Sequence, residues 1–251
     1  MTRKTLFITG GSTGIGAATV RKFHADGWNV VFMDVNDEAA RALVGDCPEV
    51  LFVHGNTRSK ADIVAAVEAA IERFGGIDCV CANAGIHRCN TVLDISDEEL
   101  DLMIDTNIKG TVNTLRVAIP HLKRGGSVLI NASDQCYVGK PNSFGYGLTK
   151  GAIGQIARSM AIDLGPKGIR VNAVCAATIK TPLVDKLFQS FADITHGGDV
   201  SAYWEAEAAQ YPLGRVGEAS EVAELFAFLA SDRASFMTGG LYLIDGGLVA
   251  K

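Results

Sequence analysis

Tyr146 and Lys150 stand one helical turn apart in Tyr146-Gly147-Leu148-Thr149-Lys150, so on a helix their side chains share one face. A phenol at its ordinary pKa of about 10 is too weak an acid–base partner for neutral pH. A neighbouring ammonium stabilises phenolate and lowers that value, which would let Tyr146 exchange a proton with a substrate oxygen. An exposed helical turn with no chemistry is the plain alternative. Thirteen residues earlier, Ser133 closes an apolar run. Its hydroxyl could hold the substrate oxygen beside Tyr146 and stabilise developing charge, or it could simply cap a turn.

A second constellation supplies a co-reactant. Thr9-Gly10-Gly11-Ser12-Thr13-Gly14-Ile15-Gly16 lies between an apolar run and a helical pattern that continues through Phe23. A Cβ at the glycines would block the tight turn and hold the backbone away from a diphosphate. The free amides and positive dipole end of the helix would then bind the anion, although tight packing alone could also select such a loop. Asp34 follows Gly16 by eighteen residues, at the end of the second run, where its carboxylate can accept the adenosine ribose hydroxyls. The same charge repels a 2′-phosphate, and Val35 and Asn36 follow instead of Arg or Lys, with Thr13 in the turn. NAD is therefore favoured over NADP. The bland role for Asp34, capping the next helix, could be filled by Asn36 or Asp37.

These groups need a scaffold, and the hydrophobic pattern describes one. Runs at Thr5–Thr9, Asn29–Met33, Val50–Val53, Ile77–Cys81, Ser127–Asn131, Arg170–Val174 and Leu241–Ile244 alternate with segments of helical period. The runs are apolar almost throughout, so both sheet faces are covered, as in a parallel, doubly wound α/β sheet with helices on both faces. Ser96-Asp97-Glu98-Glu99 reads as a capping box that starts a helix near Asp97. Gly145, Gly147, Gly151 and Gly154 crowd the helix of Tyr146, each costing about 1 kcal/mol against Ala, so close approach of a cofactor or a partner helix is expected there. Ile153, Ile156, Met160 and Leu164 give that helix an apolar stripe.

No repeat or linker divides residues 1–251, so a single domain is expected. The stretch 178–212 breaks the alternation with Phe188, Phe191, Tyr203, Trp204 and Tyr211 and a hinge candidate at Gly197-Gly198. It reads either as a lid or as surface helices packed on the body or on another subunit. A net charge of −5 leaves no excess of Lys and Arg for phosphate backbones, which argues against nonspecific nucleic-acid or membrane-surface binding. Cys47, Cys79, Cys81, Cys89, Cys136 and Cys175 form no C-x-x-C pair, and no metal site is expected. With neither a leader nor a bilayer-length apolar run, the cytoplasm is the expected location.

Taken together, Thr9-Gly10-x-x-x-Gly14-x-Gly16, Asn83-Ala84-Gly85, Asn107, Ser133, Tyr146-x-x-x-Lys150 and the tail from Pro212-Leu213-Gly214-Arg215 to Asp245-Gly246-Gly247 resemble the short-chain dehydrogenase/reductase family, essentially end to end. The resemblance implies a single-domain Rossmann fold with a seven-stranded sheet, and a homotetramer or homodimer built on two long helices. It implies that Asn107 joins Ser133, Tyr146 and Lys150 as a catalytic tetrad, binding water in a proton relay behind Lys150; a solvent-facing helix Asn is the bland reading. Lys150 would also bond the nicotinamide ribose. The cofactor set is completed by Asn56, Thr57, Asn83, Ala84, Gly85, Ile179 and Thr181, the last against the carboxamide. Two departures stand out. Cys175-Ala176-Ala177-Thr178 replaces the family's Pro-Gly, and Asn56 stands where an adenine-side Asp is usual, keeping an acceptor without the charge.

The implied activity is NAD(H)-dependent interconversion of a secondary alcohol and a ketone. Asp134, Gln135, Cys136, His87, Arg88 and Lys180 make the expected substrate wall polar, suited to a sugar, polyol, sugar acid or hydroxy acid, with His87, Gln135 and Lys180 as candidate contacts. A solvated loop histidine is the alternative for His87. Two rival functions stay open. An NADPH-dependent oxoacyl reductase would differ in coenzyme, and a non-catalytic dinucleotide sensor would be expected to break the tetrad. Enoyl reductases of similar fold space Tyr and Lys more widely, and extended epimerases need a larger C-terminal region; neither pattern is found here.

Overall fold

The computed structural model describes residues 3–47, 49–195 and 198–250. Its centre is β1 (Thr5–Thr9), where all five residues are buried because helices cover both faces of the sheet. Phe7 points into one apolar layer and its neighbours Leu6 and Ile8 into the other, as strand alternation requires.

The chain then winds through α1 (Gly14–Ala25), β2 (Asn29–Asp34), α2 (Asp37–Asp46), β3 (Leu51–His54), α3 (Lys60–Phe74) and β4 (Ile77–Ala82). Local signals set the boundaries. The Asn36 side chain accepts from the Ala39 amide to cap α2. Ser59 caps α3, and Gly75 ends it at φ 75°. After a long loop come α4 (Asp97–Met103), a π-helical turn (Ile104–Lys109) and α5 (Gly110–Ala118), then β5 (Leu122–Asn131), α6 (Phe144–Leu164) and β6 (Arg170–Ala176). Short β7 (Ile179–Lys180), α7 (Pro182–Thr195), α8 (Val200–Ala208) and β8 (Gly217–Glu218) precede α9 (Ala219–Ala230) and β9 (Leu241–Ile244).

The main sheet has seven strands in the order β3-β2-β1-β4-β5-β6-β9, with every pairing parallel. The order reverses between β1 and β4, and a crevice opens beyond their C-terminal ends, the usual place for a ligand in such sheets. All seven expected runs are strands, and the first and last have the expected ends. The fifth begins earlier, at Leu122, where the ladder to β4 is irregular between Ile77 and Cys79. Ser96 caps α4 by accepting from the Glu99 amide, one half of the expected box, while both halves of a capping box are formed by Glu218 and Glu221 at α9. Among the described residues no helix is long and apolar enough to cross a membrane, and no group of three or more His, Cys, Asp or Glu could hold a metal.

Candidate active site

The crevice is a cavity of about 1100 Å³ that runs from the β1–α1 turn to α8. At one end it is shaped by backbone contact. A Cβ on Gly16 would lie 1.9 Å from the Gly10 carbonyl oxygen, and one on Gly10 would lie 2.8 Å from the Ala84 Cα. Gly10 and Gly14 also take φ of 67° and 52°, which favours glycine at both. The Asn83 Nδ2 donates to the Thr9 and Gly10 carbonyls at 3.1 and 2.8 Å, and Asn131 Nδ2 donates to Asn83 Oδ1 at 2.8 Å. Three strand ends are thus tied to one loop.

The residues present fit a dinucleotide. Thr13 precedes α1 without a side-chain cap, so the helix-start amides are not taken by it. The buried Ser12 Oγ has no hydrogen-bond partner among the described residues. Asp34 faces the cavity at the end of β2 and is not the α2 cap; its two oxygens accept from the Ser12 and Asn36 amides at 2.9 and 3.0 Å. Asn56, Thr57, Asn83, Ala84, Gly85, Ile15, Ile179 and Thr181 line the same cavity. Thr181 packs against Gly14, where an added Cβ would meet its methyl at 3.0 Å. The Ala176-Ala177 turn that replaces Pro-Gly needs no left-handed residue, because Asn142 is the only non-glycine at positive φ among the described residues.

At the other end the expected reactive groups converge. Tyr146 and Lys150 lie on α6, with the Lys150 Nζ 5.4 Å from the Tyr146 ring centre and donating to the Asn131 carbonyl at 2.6 Å. Burial brings the Lys150 ammonium down to about 8, so it keeps its charge at neutral pH. The Tyr146 phenol is pushed up here, because enclosure and the Asp134 carboxylate outweigh the hydrogen bond with Ser133. Ser133 sits at the end of β5, 4% exposed, where it donates to Asp134 Oδ1 at 2.8 Å and accepts from the Gln135 amide at 3.2 Å.

Asn107 belongs to the π-helical turn, is 1% exposed, and makes three side-chain hydrogen bonds. It accepts from the Ile86 amide at 2.8 Å and donates to the Ile86 carbonyl and Thr149 Oγ1 at 2.9 and 3.0 Å. Those bonds fasten the loop after β4 to α6 and occupy both amide protons. His87 is far from a solvated loop histidine: its ring stacks on Tyr146 at 4.0 Å and 13°, and its Nε2 lies 3.0 Å from Ser143 Oγ. Burial, aided by Lys140, Lys150 and Arg88, holds it at about 4, neutral at ordinary pH. Gln135 lines the cavity. Lys180 does not: in β7 it alternates with buried Ile179 and points to solvent.

Three of the four glycines of α6 have close neighbours within the chain. An added Cβ would strike Met103 Cε at 2.3 Å from Gly145, the Gln135 side chain at 2.8 Å from Gly147, and Leu241 at 2.8 Å from Gly154, while Gly151 faces open space. The aromatics of 178–212 largely meet one another. Phe188 packs on Tyr203 and Trp204 at 4.6 and 4.3 Å, and Phe191 stacks on Tyr203 at 5.6 Å, closing α7 onto α8 as one wall of the cavity. Gly197 of the expected hinge lies outside the described residues; Gly198 has φ 89°. Three features were missed from sequence: the Asn131 bonds, a Glu207 carboxylate that joins α8 to Thr178 at 2.6 Å, and Arg58 in the cavity lining.

Comparison with known proteins agrees with this geometry. A family model described as "Enoyl-(Acyl carrier protein) reductase" matches residues 10–249. The L-fucose dehydrogenase of Mus musculus is 35% identical, over 97% of this chain and 88% of that protein. The 3-alpha-(or 20-beta)-hydroxysteroid dehydrogenase of Mycobacterium tuberculosis H37Rv is 34% identical, over 98% and 90%. The solved aldohexose dehydrogenase of Thermoplasma acidophilum superposes with a TM-score of 0.90 at 30% identity, covering 100% of this chain and 95% of that one. Fold and site define a nicotinamide-dinucleotide oxidoreductase acting on alcohols or ketones. The chain belongs to the short-chain dehydrogenase/reductase family.

Proposed function

We propose that this protein is an NAD(H)-dependent dehydrogenase that interconverts a secondary alcohol and a ketone on a small, hydroxylated substrate such as a sugar, polyol, sugar acid or hydroxy acid. One observation carries the reading: a single cavity joins a glycine cradle, closed to any side chain, with Tyr146, Ser133 and Lys150. The bound coenzyme would supply a hydride acceptor and, when oxidised, the further positive charge that Tyr146 needs. Residues 10–16, Asp34, Asn56, Thr57, 83–85, Ile179 and Thr181 hold it, with Lys150 on the ribose. Tyr146 takes the alcohol proton during oxidation and returns it during reduction. Ser133 holds the reacting oxygen beside Tyr146, and Lys150 stabilises the phenolate.

Arg88, Gln135, Lys140, Glu207 and Gln210 around the cavity support a polar substrate, and α7 with α8 acts as its lid. The relatives named above include both sugar and steroid dehydrogenases, so a screen of sugars, polyols and hydroxy acids with NAD, followed by reduced-coenzyme absorbance, is the deciding measurement. Tyr146→Phe is expected to fold and bind NADH while losing about 10²–10⁴ in turnover; near-normal turnover would remove the mechanism. Arg58 in the cavity lining favours a second reading, an NADPH-dependent oxoacyl reductase. Comparing kcat/KM with NAD and NADP separates the two, and a strong NADP preference overturns the role given to Asp34. The apolar groove between α5 and α6, lined by Val112, Leu115, Ile119, Ile156 and Met160, supports assembly as a homodimer or homotetramer, which light scattering would measure.

A further inference from the structure

The charges at the reactive end of the cavity are not balanced. Asp134 is 1% exposed, and its Oδ2 lies 2.7 Å from the Lys140 ammonium. The Glu207 carboxylate accepts from Thr178 Oγ1 and the Tyr211 hydroxyl at one oxygen and from Gln210 Nε2 at the other, at 2.6, 3.0 and 2.9 Å. Both acids in the lining of that end are thus engaged with the chain itself. Arg88 differs. It is exposed, lines the same cavity, donates from Nη1 to the neighbouring His87 carbonyl at 3.2 Å, and has no carboxylate partner among the described residues. The ring of His87 stacks on Tyr146 at 4.0 Å, and Lys140, Lys150 and Arg88 all lie close enough to that ring to disfavour its protonation. A cation without a counter-charge therefore stands one residue away from the side chain that covers the reactive phenol.

We propose that the substrate is a hydroxy acid or sugar acid, bound with its alcohol oxygen at Tyr146 and its carboxylate on the Arg88 guanidinium. A guanidinium offers five N–H donors in a planar fork that matches the two oxygens of a carboxylate, and here the His87 carbonyl takes only one of them. The hydroxyls of a neutral sugar or polyol would leave this cation without a counter-charge. A phosphate monoester carries more charge than one guanidinium offsets, and the nearby Lys140 is already paired with Asp134. The inference rests on the dehydrogenase reading and narrows its substrates to those that carry a carboxylate.

Matched probes that differ in the carboxylate alone test it: lactate and methyl lactate, 3-hydroxybutanoate and methyl 3-hydroxybutanoate, galacturonate and galactose, each with NAD. Any other hydroxy acid found active in the screen is paired with its methyl ester in the same way. The measured quantity is the ratio of kcat/KM for the acid to that for its neutral partner. In the wild type this ratio is expected to be at least about ten in every pair that is turned over, the scale of one charge-assisted hydrogen bond. Arg88→Gln is expected to bring it close to one through a rise in KM for the acid. A general loosening of the wall would lower both members of a pair and leave the ratio where it was. A wild-type ratio near one, a ratio that Arg88→Gln leaves intact, or turnover confined to neutral alcohols overturns the inference while the dehydrogenase reading stands. A wild-type protein that turns over none of these probes and no alcohol in the screen overturns that reading and this one with it.

Discussion

The two ends of the cavity are built by different means. At the β1–α1 end the walls are backbone: the Gly10 carbonyl, the Ala84 Cα and strand ends tied by Asn83. At the α7–α8 end they are side chains, an aromatic cluster around Phe188 and a carboxylate, Glu207, that accepts from Thr178 and Tyr211 at 2.6 and 3.0 Å. Backbone walls can be tightened only by changing a glycine. Side-chain walls can be changed at many positions without disturbing the sheet. A site made this way keeps one ligand constant and leaves the other free to vary.

The contrast can be broken at either end. Gly16→Ala should have the largest effect, since its Cβ would fall 1.9 Å from the Gly10 carbonyl oxygen. An increase in NADH dissociation constant of at least about a hundredfold, roughly 2.7 kcal/mol, is expected by calorimetric titration. Near-normal affinity would show that the cradle yields. Phe188→Ala should act on the opposite wall alone, raising KM for the alcohol about tenfold while the NADH dissociation constant stays put. If both constants rise together, the two ends are one cooperative unit.

The smallest effect sharpens the boundary between them. His87 is held at about 4 in the folded chain against an ordinary 6.5, so the unfolded chain binds the extra proton between those values. Stability must then rise with pH through that window and fall as pH drops from about 6.5 to 4. His87→Gln removes the titration, and urea unfolding near neutral pH and near pH 5 should differ by up to about 2 kcal/mol less than in the wild type. An equal difference in both proteins would mean that His87 is not enclosed against Tyr146.

What was legible in the sequence follows the same division. Strand runs, the glycine loop and the Tyr146–Lys150 spacing were readable because backbone geometry leaves few residue choices. Lys180 was misplaced because a two-residue strand gives no periodicity to show which residue faces in. The phenol of Tyr146 was read from positive charges that stabilise phenolate, whereas the enclosure and the Asp134 carboxylate that oppose them are brought close only by folding. The glycines of α6 suggested close approach of a cofactor or a partner helix, and only the folded chain shows Met103, Gln135 and Leu241 against Gly145, Gly147 and Gly154, with Gly151 facing open space.

The π-helical turn at Ile104–Lys109 carries a consequence of its own. Such a turn holds one residue more than an α-helix needs, so α4 and α5 would join into a smoother helix if a single residue were deleted there. That shortening would rotate everything upstream by about 100°, the angle per residue at 3.6 residues per turn. Asn107 would lose its hold on Ile86 and Thr149 even as the helix improved. A more regular backbone would thus come at the cost of the bonds that fasten the loop after β4 to α6.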